Sequence, residues 1–200
     1  QFRDSFCDTP YASWKPEKGK FTLDDIVKFY EDNSHIKHTM ITGGGPTSVP
    51  TLLKELCDIG KQFNHLVTIE TEGSEFVQTS AECISLSPKL SNSTPVPGTY
   101  MPYIGREVTE KDRLKHEKWR CNYDAMKQLI DNHPDYQLKP VISSVEQLEE
   151  VKELCSILSG QDYYYKDSPF LLDLLKNRVT PGVDETSKYK ADFLQKICKY

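Results

Sequence analysis

The run Thr42-Gly43-Gly44-Gly45-Pro46 is the first group of residues with chemical potential. Glycines there let a ligand reach the backbone, because no Cβ intrudes and positive φ costs nothing. Successive N–H groups in such a turn can also hold an anion. The pattern is neither a Walker A nor a G-x-G-x-x-G sequence, and a tight turn and a ligand loop both account for it. Cys7-Asp8-Thr9 places a thiol, a carboxylate and a hydroxyl side by side, a set from which metal ligands can be drawn. Ser87-Pro88-Lys89 sets a lysine where a predicted strand ends, able to meet a carboxylate or phosphate or simply to stand in solvent. His35, His38, His65, His116 and His133 show no metal-ligand spacing.

The elements that must position these residues come from a chain of 200 residues with 25 Lys and Arg against 30 Asp and Glu, a net charge of −5. No surplus positive charge exists to neutralise phosphates, which excludes a strongly basic nucleic-acid binder. No apolar run approaches the roughly 20 residues of a membrane span. The chain opens on Gln1 with no basic-then-apolar leader, and its six cysteines are scattered without a CxxC pair. Cys57, Cys83, Cys155 and Cys198 fall within apolar patterns and read as small buried hydrophobes. The expectation is a reduced, cytoplasmic protein with no nucleic-acid or membrane partner.

Along the chain, Thr22 caps a helix with Asp24 and Asp25 in its first turn. A strand at 39–41 runs into the glycines, and a helix over 50–63 carries Leu52, Leu53, Leu56 and Ile59 at helical spacing. Further strands are predicted at 66–70 and 83–87. An unperiodic stretch over 88–108 follows, then a long polar helix over 109–132, a strand over 137–142 and a helix over 145–158 capped by Ser143 or Ser144. A Tyr163-Tyr164-Tyr165 segment, a short helix near 170–175 and a last helix near 185–199 close the chain. The recurring order of strand, loop and helix predicts an α/β fold of mostly parallel strands with right-handed crossovers. In such folds ligands bind at the C-terminal ends of the strands, where the polar and glycine-rich segments fall.

Taken together, four runs resemble 7-carboxy-7-deazaguanine synthase, a radical S-adenosylmethionine enzyme family. They are Cys-Asp-Thr-Pro-Tyr-Ala (7–12), Ile-Thr-Gly-Gly-Gly-Pro (41–46), Ile-Glu-Thr-Glu-Gly (69–73) and Ile-Ser-Leu-Ser-Pro-Lys-Leu-Ser-Asn-Ser-Thr-Pro (84–95). The resemblance continues through Tyr136-Gln137-Leu138-Lys139 and Pro181-Gly182-Val183-Asp184-Glu185, in the family's order. It implies one domain over 1–200, a partial (β/α) barrel of the radical-SAM type, with the family's first strand and its C-terminal strand missing.

The family's CxxxCxxC loop holds a 4Fe–4S cluster, and its third Cys precedes Asp-Thr, which implies Cys7 as a cluster ligand and Thr9 as a Mg²⁺ ligand. The Thr of the Thr-Gly-Gly motif touches substrate, hence Thr42. The second Gly contacts S-adenosylmethionine, hence Gly44, and the Ser-Pro-Lys motif lines the same site, hence Ser87, Pro88 and Lys89. Glu70, Thr71 and Gly73 match the family's Glu-Thr-Xaa-Gly strand end. The implied reaction is a carbon–nitrogen lyase step of queuosine and 7-deazapurine biosynthesis, contracting 6-carboxytetrahydropterin to 7-carboxy-7-deazaguanine with loss of ammonia. The family is commonly a homodimer, and a flavodoxin-like electron donor is the implied partner beside the small pterin substrate. Two residues depart from the pattern: Asp4 stands where the second cluster Cys is expected, and Gly45 replaces the usual Glu of Gly-Gly-Glu-Pro. They leave open a diverged, cluster-less relative that binds a nucleoside or pterin without radical chemistry. An interaction module sharing only the architecture is the third expectation.

Overall fold

The computed structural model describes residues 19–159 apart from 103, 143, 145 and 146. The chain divides into two compact units, one up to Val141 and one from Ile142 onward. The first unit opens with α1 (Leu23–Asp32), where Thr22 and Asp25 form a reciprocal capping box. Strand β1 (His38–Ile41) leads through a single 3-10 turn (Pro46–Ser48) into α2 (Pro50–Gln62). Asn64, in the left-handed region at φ 55°, turns the chain into β2 (Leu66–Thr71). Strand β3 (Cys83–Leu86), a hairpin of β4 (Tyr100–Met101) and β5 (Arg106–Glu107), helices α3 (Glu110–Arg120) and α4 (Tyr123–Asp131), and β6 (Asp135–Leu138) complete the unit. In the second unit α5 (Gln147–Ser159) buries Val151, Leu154, Cys155 and Leu158 along one side.

The sheet runs β1-β2-β3-β6, and all three pairings are parallel. The α/β, parallel expectation is therefore borne out. The two faces of the sheet differ because side chains alternate along each strand. One face carries Thr39, Ile41, Val67, Ile69, Ile84, Leu86 and Leu138, all buried. The helices cover that face: a Cβ on Gly60 of α2 would stand 2.8 Å from Val67, and the Tyr30 hydroxyl of α1 bonds that of Thr39 at 2.9 Å. The register sets Glu70, Ser85 and Gln137 in one row on the opposite, polar face, and Gln137 donates to the Ser85 hydroxyl at 3.0 Å.

Two elements differ from the sequence reading, and the strands read at 66–70 and 83–87 do follow each other directly. The connection over 72–82 crosses from β2 to β3 without a helix; it buries Val77 and Ala81 and bonds Ser80 to Asp58 of α2 and Thr79 to His133. The helix expected over 109–132 is two helices, because the chain turns at Cys121, whose N–H reaches the carbonyls of Glu117 and Trp119, while Asn122 begins the next turn. The 88–108 stretch contains the β4–β5 hairpin, closed by Gly105 at φ 66°. The segments predicted beyond residue 159 lie outside the described residues.

Gly73, at φ 80°, admits no side chain: a Cβ would stand 2.6 Å from Leu86 and 2.8 Å from Met126. The closeness lets α4 seat directly on the end of β3. Left-handed backbone and overpacking together set the cost of Gly73→Ala at about 2–4 kcal/mol. Urea unfolding should show that loss; a change within about 0.5 kcal/mol, typical of a neutral surface site, would contradict this packing.

Candidate functional site

Parallel strands bring Thr42–Gly45 after β1, Glu72–Ser74 after β2, Ser87–Lys89 after β3 and Lys139 after β6 to the same edge. Hydrogen bonds then fasten these ends to each other. Ser87 N–H donates to the Thr71 carbonyl at 2.8 Å, and Lys139 N–H donates to the Leu86 carbonyl at 2.7 Å, carrying the parallel ladder past the strands. The Ser87 hydroxyl donates to the Lys139 carbonyl at 3.2 Å. Thr47 and Thr71 bond through their buried hydroxyls at 3.3 Å.

The glycine run is a tight turn that borders a cavity. Gly43 and Gly45 sit at φ 140° and 147°, a region that favours glycine. Ser48 closes the turn, with both its N–H and its hydroxyl donating to the Gly45 carbonyl. A cavity of about 180 Å³ opens there, lined by Thr42, Gly44, Gly45, Pro46 and Leu53 among others. Thr42 also borders a second cavity of about 720 Å³ beside β1, together with Phe21, Phe29, Tyr30 and Met40.

Of the residues expected from the resemblance, Thr42, Gly44, Ser87, Pro88 and Lys89 all lie at this edge, Thr42 exposed and Pro88 buried. Ser87 and Lys89 are half-buried, with Lys89 Nζ 3.5 Å from the Ser87 hydroxyl. Cys7 and Thr9 lie outside the described residues. Sequence reasoning passed over three polar groups here. Lys139 pairs with Glu70 at 3.1 Å on the polar face of the sheet. Glu72 is buried directly behind the glycine turn. His116 of α3, also buried, holds the loop that follows Lys89. The Glu-Thr-Glu-Gly run was visible as a strand end, but which side chain faced the glycines was not.

That loop is secured from α3. The Ser93 hydroxyl donates to the Leu90 carbonyl at 2.6 Å, so His116 Nε2–H must be the donor in its 2.9 Å contact with Ser93. The Thr94 hydroxyl donates to Glu117, whose carboxylate Arg120 also grips at 2.7 Å and holds below its usual range. Burial keeps the His116 imidazole neutral, lowering its pKa to about 4. The Cys57 thiol is pushed up to about 11 by burial, the behaviour of an inert core residue.

The 4Fe–4S cluster implied by the resemblance takes soft thiolate ligands. At the spacing that ends on Cys7 the chain has Asp4, a hard carboxylate, where that motif carries a second thiolate, and both residues lie outside the described ones. Among the described residues no group of three or more His, Cys, Asp or Glu could hold a metal ion. Among them, too, no helix is long and apolar enough to cross a membrane.

A helix-covered parallel sheet with backbone, hydroxyl, ammonium and carboxylate groups gathered at its C-terminal edge defines an α/β protein, and in open parallel sheets that edge is where ligands commonly bind. Similarity makes the assignment narrower. The chain is 36% identical over 151 residues to the 7-carboxy-7-deazaguanine synthase of Rhodopirellula baltica, covering 74% of this chain and 54% of the relative. It is 29% identical over 152 residues to the synthase of the same name from Halobacterium salinarum, covering 74% and 55%. The chain is thus a homologue of 7-carboxy-7-deazaguanine synthases, and it spans about half the length of these curated relatives. The family profile for the aconitate B N-terminal domain matches residues 127–200.

His116 gives the site loop a pH dependence. The unfolded imidazole titrates near 6.5 and the folded one at about 4. Between those values the unfolded chain binds more protons, so this contribution is complete above about pH 6.5 and is lost as pH falls toward 4. His116→Gln keeps a donor for Ser93 but cannot titrate. Between about pH 6.5 and 4.5 its unfolding free energy should fall less than that of the unaltered chain; equal slopes would remove His116 from this role.

Proposed function

We propose that the protein acts in 7-deazapurine synthesis, contracting 6-carboxytetrahydropterin to 7-carboxy-7-deazaguanine with loss of ammonia, with S-adenosylmethionine bound at the C-terminal edge of the sheet. The observation that carries this reading is the meeting of Thr42–Gly45 and Ser87–Lys89 at one edge, in a chain homologous to synthases of that name. The glycine backbone offers a close approach for the nucleoside's amino-acid end, Thr42 stands exposed where substrate would be met, and Lys89 supplies a cation for a carboxylate. The hydrogen-bonded strand ends keep these groups in place before ligand arrives, which lowers the ordering cost of binding.

Asp4 and Gly45 favour a second reading, a relative that binds the nucleoside or pterin without radical chemistry. Two measurements on the full chain separate these readings. S-adenosylmethionine at a hundredfold excess over its Kd should stabilise the chain by about 2.7 kcal/mol, raising Tm by about 5–10 °C. Anaerobic reconstitution with iron and sulfide then decides the chemistry. Visible cluster absorption with conversion of 6-carboxytetrahydropterin supports the synthase reading, and a thermal shift without absorption supports the second. No shift with S-adenosylmethionine or with pterins would overturn both.

A further inference from the structure

Glu72 is a charged side chain only 8% exposed. Its Oε1 accepts from the Ser74 hydroxyl at 2.7 Å and its Oε2 from the Thr71 hydroxyl at 3.4 Å, both neutral donors. Ser74 is itself held by the Asn122 side chain, which donates to its carbonyl at 2.8 Å. Among the described residues no Lys, Arg or His pairs with Glu72. A buried carboxylate without a counter-charge is costly, and its cost is recovered when a charged donor arrives.

The carboxylate is aimed at the glycine turn. A Cβ built on Gly45 would stand 3.1 Å from Oε1 and 3.3 Å from Oε2, so a side chain there, already disfavoured at φ 147°, would press the Glu72 carboxylate back by a few tenths of an ångström. A single carboxylate flanked by hydroxyls is a poor cage for a divalent cation, which takes about six oxygen ligands. A neutral hydroxyl would satisfy the oxygens but not the charge, whereas a protonated amine does both.

We propose that Glu72 is the acceptor for the primary amino group of the ligand bound over Gly43–Gly45, and that Gly45 lacks a side chain because this carboxylate occupies the space. The inference rests on the reading of this edge as a site for an amino-acid-bearing nucleoside, and it names the residue that selects the amine.

The test is calorimetric binding to the full chain, without iron or sulfide, of two probes. Decarboxylated S-adenosylhomocysteine keeps the amine, and the propylthio analogue of the same nucleoside lacks it. The chain should bind the amine about tenfold or more tightly, the worth of a hydrogen bond to a charged group. Glu72→Gln should bind both probes alike while keeping the affinity for the propylthio nucleoside. A preference that survives Glu72→Gln overturns the proposal. Equal binding of both probes by the unaltered chain also overturns it, giving the carboxylate to the shared ribose hydroxyls while the nucleoside reading stands. Binding of neither probe removes the nucleoside reading itself, and the proposal with it. Should circular dichroism show Glu72→Gln unfolded, Glu72→Asp replaces it, with the charge kept but withdrawn by one carbon; an undiminished preference there is again contrary.

Discussion

Strands that all run the same way must all end at the same edge, and a protein that pairs them in parallel cannot avoid collecting the loops that follow. Here the constraint acts on four strands, so the segments after Ile41, Thr71, Leu86 and Leu138 meet along one line. The segments that meet are the ones rich in glycine, hydroxyl, carboxylate and lysine. Backbone bonds that extend the ladder beyond β3 and β6 make this edge part of the sheet rather than a set of separate loops.

The same sheet separates support from chemistry. Its apolar face takes the helices, and close contacts at Gly60 and Gly73 let the backbone approach it where a side chain would not fit. Its polar face keeps Glu70, Ser85 and Gln137 in register, with Lys139 anchored to Glu70. The loop beyond Lys89 depends on α3, through buried His116 and through Thr94 and Glu117. A helix remote in sequence thereby secures the loop that follows the Ser-Pro-Lys segment.

Much of this was legible in the residues. Thr22 was read as a helix cap, and the structure bears this out with a capping box to Asp25; Thr109 forms the same box with Asp112 at the start of the helix read from 109. The strands are rich in β-branched residues, and three were located to within a residue or two. The break at Cys121 was not legible, since neither glycine nor proline marks it and both flanking segments are helix formers. The hairpin was missed because strands of two residues carry no periodicity. In the site, the glycine turn and Ser87–Lys89 were readable from local pattern. Glu72 was not, because its significance lies in which neighbour lacks a side chain, and that neighbour comes from another loop.

The central claim is that the C-terminal edge of the sheet binds the nucleoside. Hydrogen exchange followed peptide by peptide, with and without S-adenosylmethionine, tests it most directly. The account predicts slower exchange in peptides covering 42–48 and 86–92, with the helices α2 and α4 unchanged. Protection confined to the helices, or absent from both loops at saturating ligand, would contradict it.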